Sequence, residues 1–135
     1  MVSKDSKPKK LAIKSRVWIE DEEGKIVFGA GRLRIFELVE AHGSILAAAK
    51  ELHMSYRAVW GKIKATEERL GQPLVRRKPD GTTRGGSELT PFAGTIMDGF
   101  RQLQNTVEKE ADQLFENIFA AGLKQKTLPP SRDRA

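Results

Sequence analysis

A chain of 135 residues with a formal charge of +6 and no cysteine holds one modest core and is too short for two ordinary domains. Its charge favours an anionic partner, nucleic acid or an anionic surface. The missing thiols exclude disulfide staples, thiolate zinc sites and a cysteine nucleophile. No run approaches the roughly 18 apolar residues of a membrane span, and the start, MVSKDSKPKK, lacks the apolar stretch of a signal peptide. A soluble cytoplasmic protein without membrane contact is expected.

Residues 1–10 carry four lysines and no apolar cluster, the composition of a disordered basic arm. From Leu11 the pattern alternates strictly, with Leu11, Ile13, Ser15, Val17 and Ile19 on one face, which predicts a half-buried strand. The acidic run EDEE before Gly24 reads as a solvated loop and not as an acid–base pair. With the β-branched run KIVFG behind it, 11–29 is predicted to be a β-hairpin.

After Gly31 the period lengthens. Leu33, Phe36, Leu38, Val39 and, less regularly, Ile35 form a helical stripe ending at His42-Gly43, with Gly43 suited to the C-terminal cap. Ser44 is an N-cap for a second helix, SILAAAKELH, whose three alanines let another helix approach closely. A brief break at His53-Met54 precedes Ser55, the N-cap of a third helix that stops at Gly71. Val59, Ile63 and Leu70 are predicted to face inward with Ala58 nearby. His42 and His53 fit no metal or triad spacing and are read as turn or helix-end residues.

The runs LVRR and EL flank KPDGTTRGGS, a hairpin signal with basic residues at base and tip. Thr90-Pro91 then starts a final helix with an N-cap threonine and proline at the first helical position. Its apolar positions, Phe92, Ile96, Phe100, Leu103, Val107, Ala111, Leu114 and Ile118, follow an eleven-residue repeat. A helix over 92–119, about 42 Å long at 1.5 Å per residue, exceeds what one small domain covers. A homodimer joined through Phe92, Ile96, Phe100, Leu103, Val107, Leu114 and Ile118 is therefore expected. From 120 onward the composition predicts a flexible tail.

Two helices joined by a tight turn, the second followed by a glycine-containing basic hairpin, make a winged helix-turn-helix. The fold class expected is mainly α with small β-hairpins, a winged domain over 11–89 followed by a long dimerisation helix over 90–119. The second helix of such a pair enters the DNA major groove and the hairpin adds charge along the backbone. The expected DNA-facing residues are Ser44, Ser55, Tyr56, Arg57, Trp60, Gly61 and Lys64 on the helices and Arg76, Lys78, Thr83, Arg84 and Gly85 on the wing. Arg57 suits a guanine edge, and Tyr56 a phosphate or a thymine methyl group. Ser55 is equally suited to capping. Trp60 has two readings, a DNA-facing platform or packing beside the alanines, and its bulk favours packing. Gly61 costs a helix about 1 kcal/mol relative to alanine, which suggests a close approach there. Between Ser55 and Gly86 eight basic residues stand against three acidic ones. The final helix is acidic.

The run GSILAAAKELHMSYRAVWGKIKATEERLGQPLVRR, followed by DGTTRGG and ELTPFAG, resembles the DNA-binding domain of the ModE molybdate-responsive regulators, itself similar to that of LysR-type regulators. The resemblance covers about Leu11 to Phe100. It implies a dimeric bacterial-type transcription regulator of double-stranded DNA, with Ser55, Tyr56 and Arg57 at the family's helix-start positions. The wing has Thr82, Thr83 and Ser87 where the family usually places glycines. No residue corresponds to the family's oxyanion-binding barrels, so molybdate binding is not carried over and no cofactor or metal is expected. The function expected is sequence-specific, non-enzymatic regulation at an inverted repeat. The alternatives are a non-specific DNA coat and a winged-helix protein adaptor. An effector or partner protein is left open.

Overall fold

The computed structural model describes residues 7–79, 86–120 and 122. Two compact units are present: Val17–Gln104, and a second formed by residues up to Arg16 with those from Asn105 onward. The start of the basic arm, the wing tip with Thr83, Arg84 and Gly85, and nearly all of the tail from 121 lie outside the described residues.

The N-terminal hairpin is shorter than the alternation predicts. β1 spans only Trp18–Glu20 and pairs antiparallel with β2, Ile26–Gly29, in the register Trp18 to Gly29. The partner's length sets this limit. Gly29 is the last residue of β2 and Ala30 already opens a helix, so residues before Trp18 have no strand to pair with. Leu11 and Ile13, placed on the inward face by the alternation, are exposed, as is Ile19. The connecting loop is a turn closed on Asp21, whose Oδ1 accepts the backbone N–H groups of Glu23 (2.8 Å) and Lys25 (3.0 Å). Gly24 supplies the left-handed conformation the turn needs, with φ +82°.

Three helices follow. α1 spans Ala30–His42 and ends on left-handed Gly43, whose N–H donates to the Val39 carbonyl. α2 spans Ile45–Glu51, shorter than the predicted run, with Ser44 Oγ accepting from Ala47 N–H. Buried Ala48 and Ala49 let α2 lie close to its neighbours. The tight turn places His53 at φ +56°, with its N–H donating to the Lys50 carbonyl at 3.1 Å. α3 spans Tyr56–Leu70, capped by Ser55 Oγ at one end and by Gly71 at the other. Both histidines are helix-end or turn residues.

β3, Val75–Arg77, and β4, Ser87–Leu89, form the base of the second hairpin. α4 spans Pro91–Phe115, with Thr90 Oγ1 accepting from Ala93 N–H at 3.2 Å as its cap. The predicted helix to 119 is α-helical only to Phe115; Glu116–Ala120 is a π-helical turn, and the ring of its Phe119 lies 5.5 Å from that of Phe115.

The core of the Val17–Gln104 unit is built on three phenylalanines. Phe28 stacks on Phe36 at 5.9 Å and meets Phe100 edge-on at 5.2 Å. Val39, Val59, Ile63, Leu74 and Met97 complete it, each burial of such a side chain being worth about 1.5–3 kcal/mol. Phe100, expected in a dimer seam, is 2% exposed. It is used within its own chain, because Ala93, Met97 and Phe100 share the face of α4 turned to this core.

Candidate nucleic-acid interface

α3 separates two faces cleanly. Val59, Ile63 and Thr66 are buried, while Tyr56, Arg57, Trp60, Gly61 and Lys64 are exposed along the other side. Ala58, expected near the core, is exposed too. Trp60 departs from the packing expectation, with 43% of its surface exposed. It shares a groove with Tyr56, one turn earlier and 47% exposed. Gly61 sits in open space, with nothing within 4 Å of a Cβ added there. Whatever approaches it is therefore not among the described residues.

Lys64 holds the tryptophan. Its Nζ lies 5.4 Å from the centroid of the indole ring, a cation–π distance, and 3.1 Å from Glu67 Oε1. Glu67 in turn anchors the wing, since its Oε2 accepts the backbone N–H groups of Leu74 (2.7 Å) and Val75 (3.1 Å). The exposed face of α3 and the root of the wing thus share one carboxylate.

Between α3 and the wing lies an open groove of about 330 Å³, lined among others by Tyr56, Trp60, Lys64, Arg76 and Arg77. Arg76 pairs across the hairpin with Glu88 at 2.8 Å, the residue opposite it in register. Lys78 is half-buried and folds back over two glycines: a Cβ on Gly43 would sit 2.6 Å from its Nζ, and one on Gly86 3.0 Å from its Cδ. The same corner is closed by Ser87 N–H donating to the Gly43 carbonyl at 2.9 Å. Ser44 caps α2 beside it. Ser44 and Lys78 therefore sit at the junction of helices and wing, next to Ile45, Gly86 and Ser87 that line the groove. Arg57 is exposed and forms no ion pair among the described residues.

Residues passed over in the sequence orient α3 from behind. Arg32 Nε donates to Thr66 Oγ1 at 2.8 Å, and that hydroxyl donates to the Val27 carbonyl at 3.2 Å. Arg69 Nη1 donates to the Ile26 carbonyl at 2.7 Å, and its Nε lies 3.9 Å from Asp21 Oδ2. The N–H of Lys25 holds the Asp21 carboxyl below the usual range, with Glu23 N–H and Arg69 adding to it. Burial lowers the Arg32 guanidinium without making it titrate near neutrality. Arg101 of α4 bonds Glu37 of α1 at 2.9 Å, and that bond raises its pKa. Nothing in the spacing of these residues marked them, because Arg32 and Thr66, Arg69 and Asp21, and Arg101 and Glu37 are each far apart in sequence and meet only once the elements have packed.

Among the described residues no group of three or more His, Asp or Glu could hold a metal, and no helix is long and apolar enough to cross a membrane. Residues 31–93 match the sequence profile of the bacterial regulatory helix-turn-helix proteins of the lysR family. They form a LysR-type helix-turn-helix domain. This chain is 32% identical over 100 residues to the molybdenum-pterin-binding protein MopA of Rhodobacter capsulatus, covering 74% of the chain and 38% of that protein. To the molybdenum transport protein ModE of Azotobacter vinelandii it is 34% identical over 87 residues, 64% of the chain and 32% of that protein. The chain thus spans about a third of the length of these two relatives. The LysR-type fold also matches the crystal structure of a CbnR_DBD–DNA complex, with a TM-score of 0.50, 26% identity and coverage of 64% of this chain and 94% of that one.

Proposed function

We propose that this chain is a DNA-binding transcriptional regulator that contacts duplex DNA through α3 and its wing, and that it binds an inverted-repeat site as a homodimer. The observation that carries the proposal is the exposed Tyr56, Arg57, Trp60 and Lys64 face on the second helix of a LysR-type helix-turn-helix. Such a helix delivers the side chains of its first turns to base edges, while cations beside it neutralise phosphates. Arg57 is the direct reader, with Tyr56 beside it. Arg76 and Arg77 supply phosphate contacts from the wing, to which Thr83, Arg84 and Gly85 of its tip belong by sequence.

The dimer reading rests on α4. Leu103, Leu114 and Ile118 are 40%, 55% and 62% exposed, at the spacing of a helix seam, with Phe92, Ile96 and Val107 partly covered. Two-fold pairing of such helices matches a protein dyad to a palindromic site. Cytoplasmic residence follows from this function. An adaptor role is less well supported, because an adaptor would favour a neutral or apolar face where Arg57 and Lys64 stand.

Selection of bound sequences from a random duplex pool at near-physiological salt, with sizing of the complex, tests the proposal. An enriched inverted repeat bound by two chains is the expected result. Binding without enrichment that collapses as salt rises would identify a non-specific coat.

A further inference from the structure

The indole of Trp60 is exposed, yet it is held from below by a chain of contacts. The backbone N–H groups of Leu74 and Val75 fix the Glu67 carboxylate, Glu67 Oε1 fixes the Lys64 ammonium at 3.1 Å, and that ammonium lies 5.4 Å from the ring centroid. A large apolar ring left open to water forfeits the free energy of its burial. One held in place there costs less entropy when something covers it. Gly61 beside it leaves open space, so nothing on that side keeps an approaching body from the indole.

Resting on the duplex-binding reading above, we infer that Trp60 is a specificity-determining residue that packs its ring against the C5 methyl group of a thymine in the major groove, and that Lys64 is the positioning residue that sets the ring's angle. The chemistry follows from what the groove displays. Thymine is the one natural base that presents an apolar group there, and Trp60 projects from the same face as Tyr56 and Lys64. The indole has no means of reading an acceptor pair in the way Arg57 does. Its contribution is apolar, and it is lost when the methyl is removed without disturbing base pairing.

The test uses the full chain and the duplex obtained by selection, with uracil replacing thymine at each position in turn. The wild-type protein should lose about fourfold in affinity at one thymine, the ratio expected for burial of a methyl-sized group. Trp60→Ala should bind the thymine and uracil duplexes equally at that position, and Trp60→Phe should keep part of the difference. Lys64→Met should weaken both duplexes and abolish the ratio between them, while Lys64→Arg, which retains a cation over the ring, should restore it. Indifference of the wild type to uracil overturns the inference, as does an unchanged ratio in Trp60→Ala, and either leaves the regulator reading standing. Failure to select any duplex removes both.

Discussion

Thr66, fully buried in the middle of α3, accepts a 2.8 Å hydrogen bond from Arg32 Nε and donates its own O–H to the Val27 carbonyl. One hydroxyl therefore ties α1, α3 and β2 together at a point where no water reaches. Thr66→Val keeps the shape and removes both bonds, leaving the buried Val27 carbonyl and the part-buried Arg32 N–H without this partner. A loss of about 1–3 kcal/mol in stability is expected, read from chemical denaturation at unchanged m value. Duplex affinity measured well below the unfolding transition should fall little, since Thr66 lies on the face away from the groove.

Glu67 differs, because it joins the exposed face of α3 to the root of the wing. Its side chain is 11% exposed and satisfies two backbone donors at the root of the wing. Glu67→Ala leaves both N–H groups without acceptors and frees Lys64, so a destabilisation of about 2–3 kcal/mol is expected. Glu67→Gln retains one acceptor oxygen and should lose about half as much. Both variants should weaken duplex binding at a temperature where each is fully folded, measured by fluorescence anisotropy. An unaffected Kd would mean that the wing does not depend on this anchor.

Phe100 and Leu114 both lie on the apolar repeat of the last helix but should behave oppositely. Phe100 meets Phe28 in the core, so Phe100→Ala should cost about 3–5 kcal/mol whatever the protein concentration. Leu114→Asp places a charge on an exposed position and should leave the fold of the Val17–Gln104 unit intact. If the helices pair, it converts the assembly to monomer and weakens binding to the inverted repeat. Sedimentation equilibrium with thermal melting separates the two effects.

The contrast between Phe100 and Leu114 shows what was legible in the sequence. Helix starts and stops were legible because their chemistry is local: Ser44, Ser55 and Thr90 cap through their own hydroxyls, and Gly43 and Gly71 adopt left-handed conformations at the ends. The exposed face of α3 followed from its period. Which member of a long repeat serves the protomer's own core and which remains outside depends on where the helix meets Phe28 and Phe36, and spacing does not encode that. The strand expected over 11–20 failed for a related reason, since alternation describes the strand and not the length of its partner. For Trp60 the two signals conflict: its size speaks for burial, while its helical phase, shared with Tyr56 and Lys64, speaks for the exposure it has. The buttress made by Arg32, Thr66 and Arg69 joins residues far apart in the chain and left no local trace.

The Asp21 turn gives a pH dependence with a defined sign. Hydrogen bonds from Lys25 and Glu23 favour the ionised carboxylate, so its pKa in the folded chain lies below the ordinary aspartate value of about 3.9. A carboxyl depressed by folding contributes stability that is fully present above the unfolded-state pKa and is lost as pH falls through the folded one. The stability gap between wild type and Asp21→Asn should therefore be constant from neutral pH down to about pH 5, then narrow below pH 4. Urea denaturation at several pH values checks this. A gap that widens on acidification would reverse the assignment.

Arg57 and Arg77 separate base reading from charge. Arg57 projects from the first turn of α3, exposed and without an ion pair among the described residues, so its guanidinium can meet a guanine edge through two hydrogen bonds. Arg57→Ala should lose about 1–3 kcal/mol on the selected duplex and relax preference at one base position. Arg77 lines the groove from the wing, and in the binding mode proposed above it would meet phosphates. Arg77→Ala should weaken all duplexes alike and reduce the dependence of log K on log salt by about one ion. Binding titrations on matched and single-mismatch duplexes at three salt concentrations distinguish these outcomes. If both variants lose affinity uniformly on every sequence with the same change of salt slope, Arg57 acts as a charge and base reading falls to Tyr56 and Trp60.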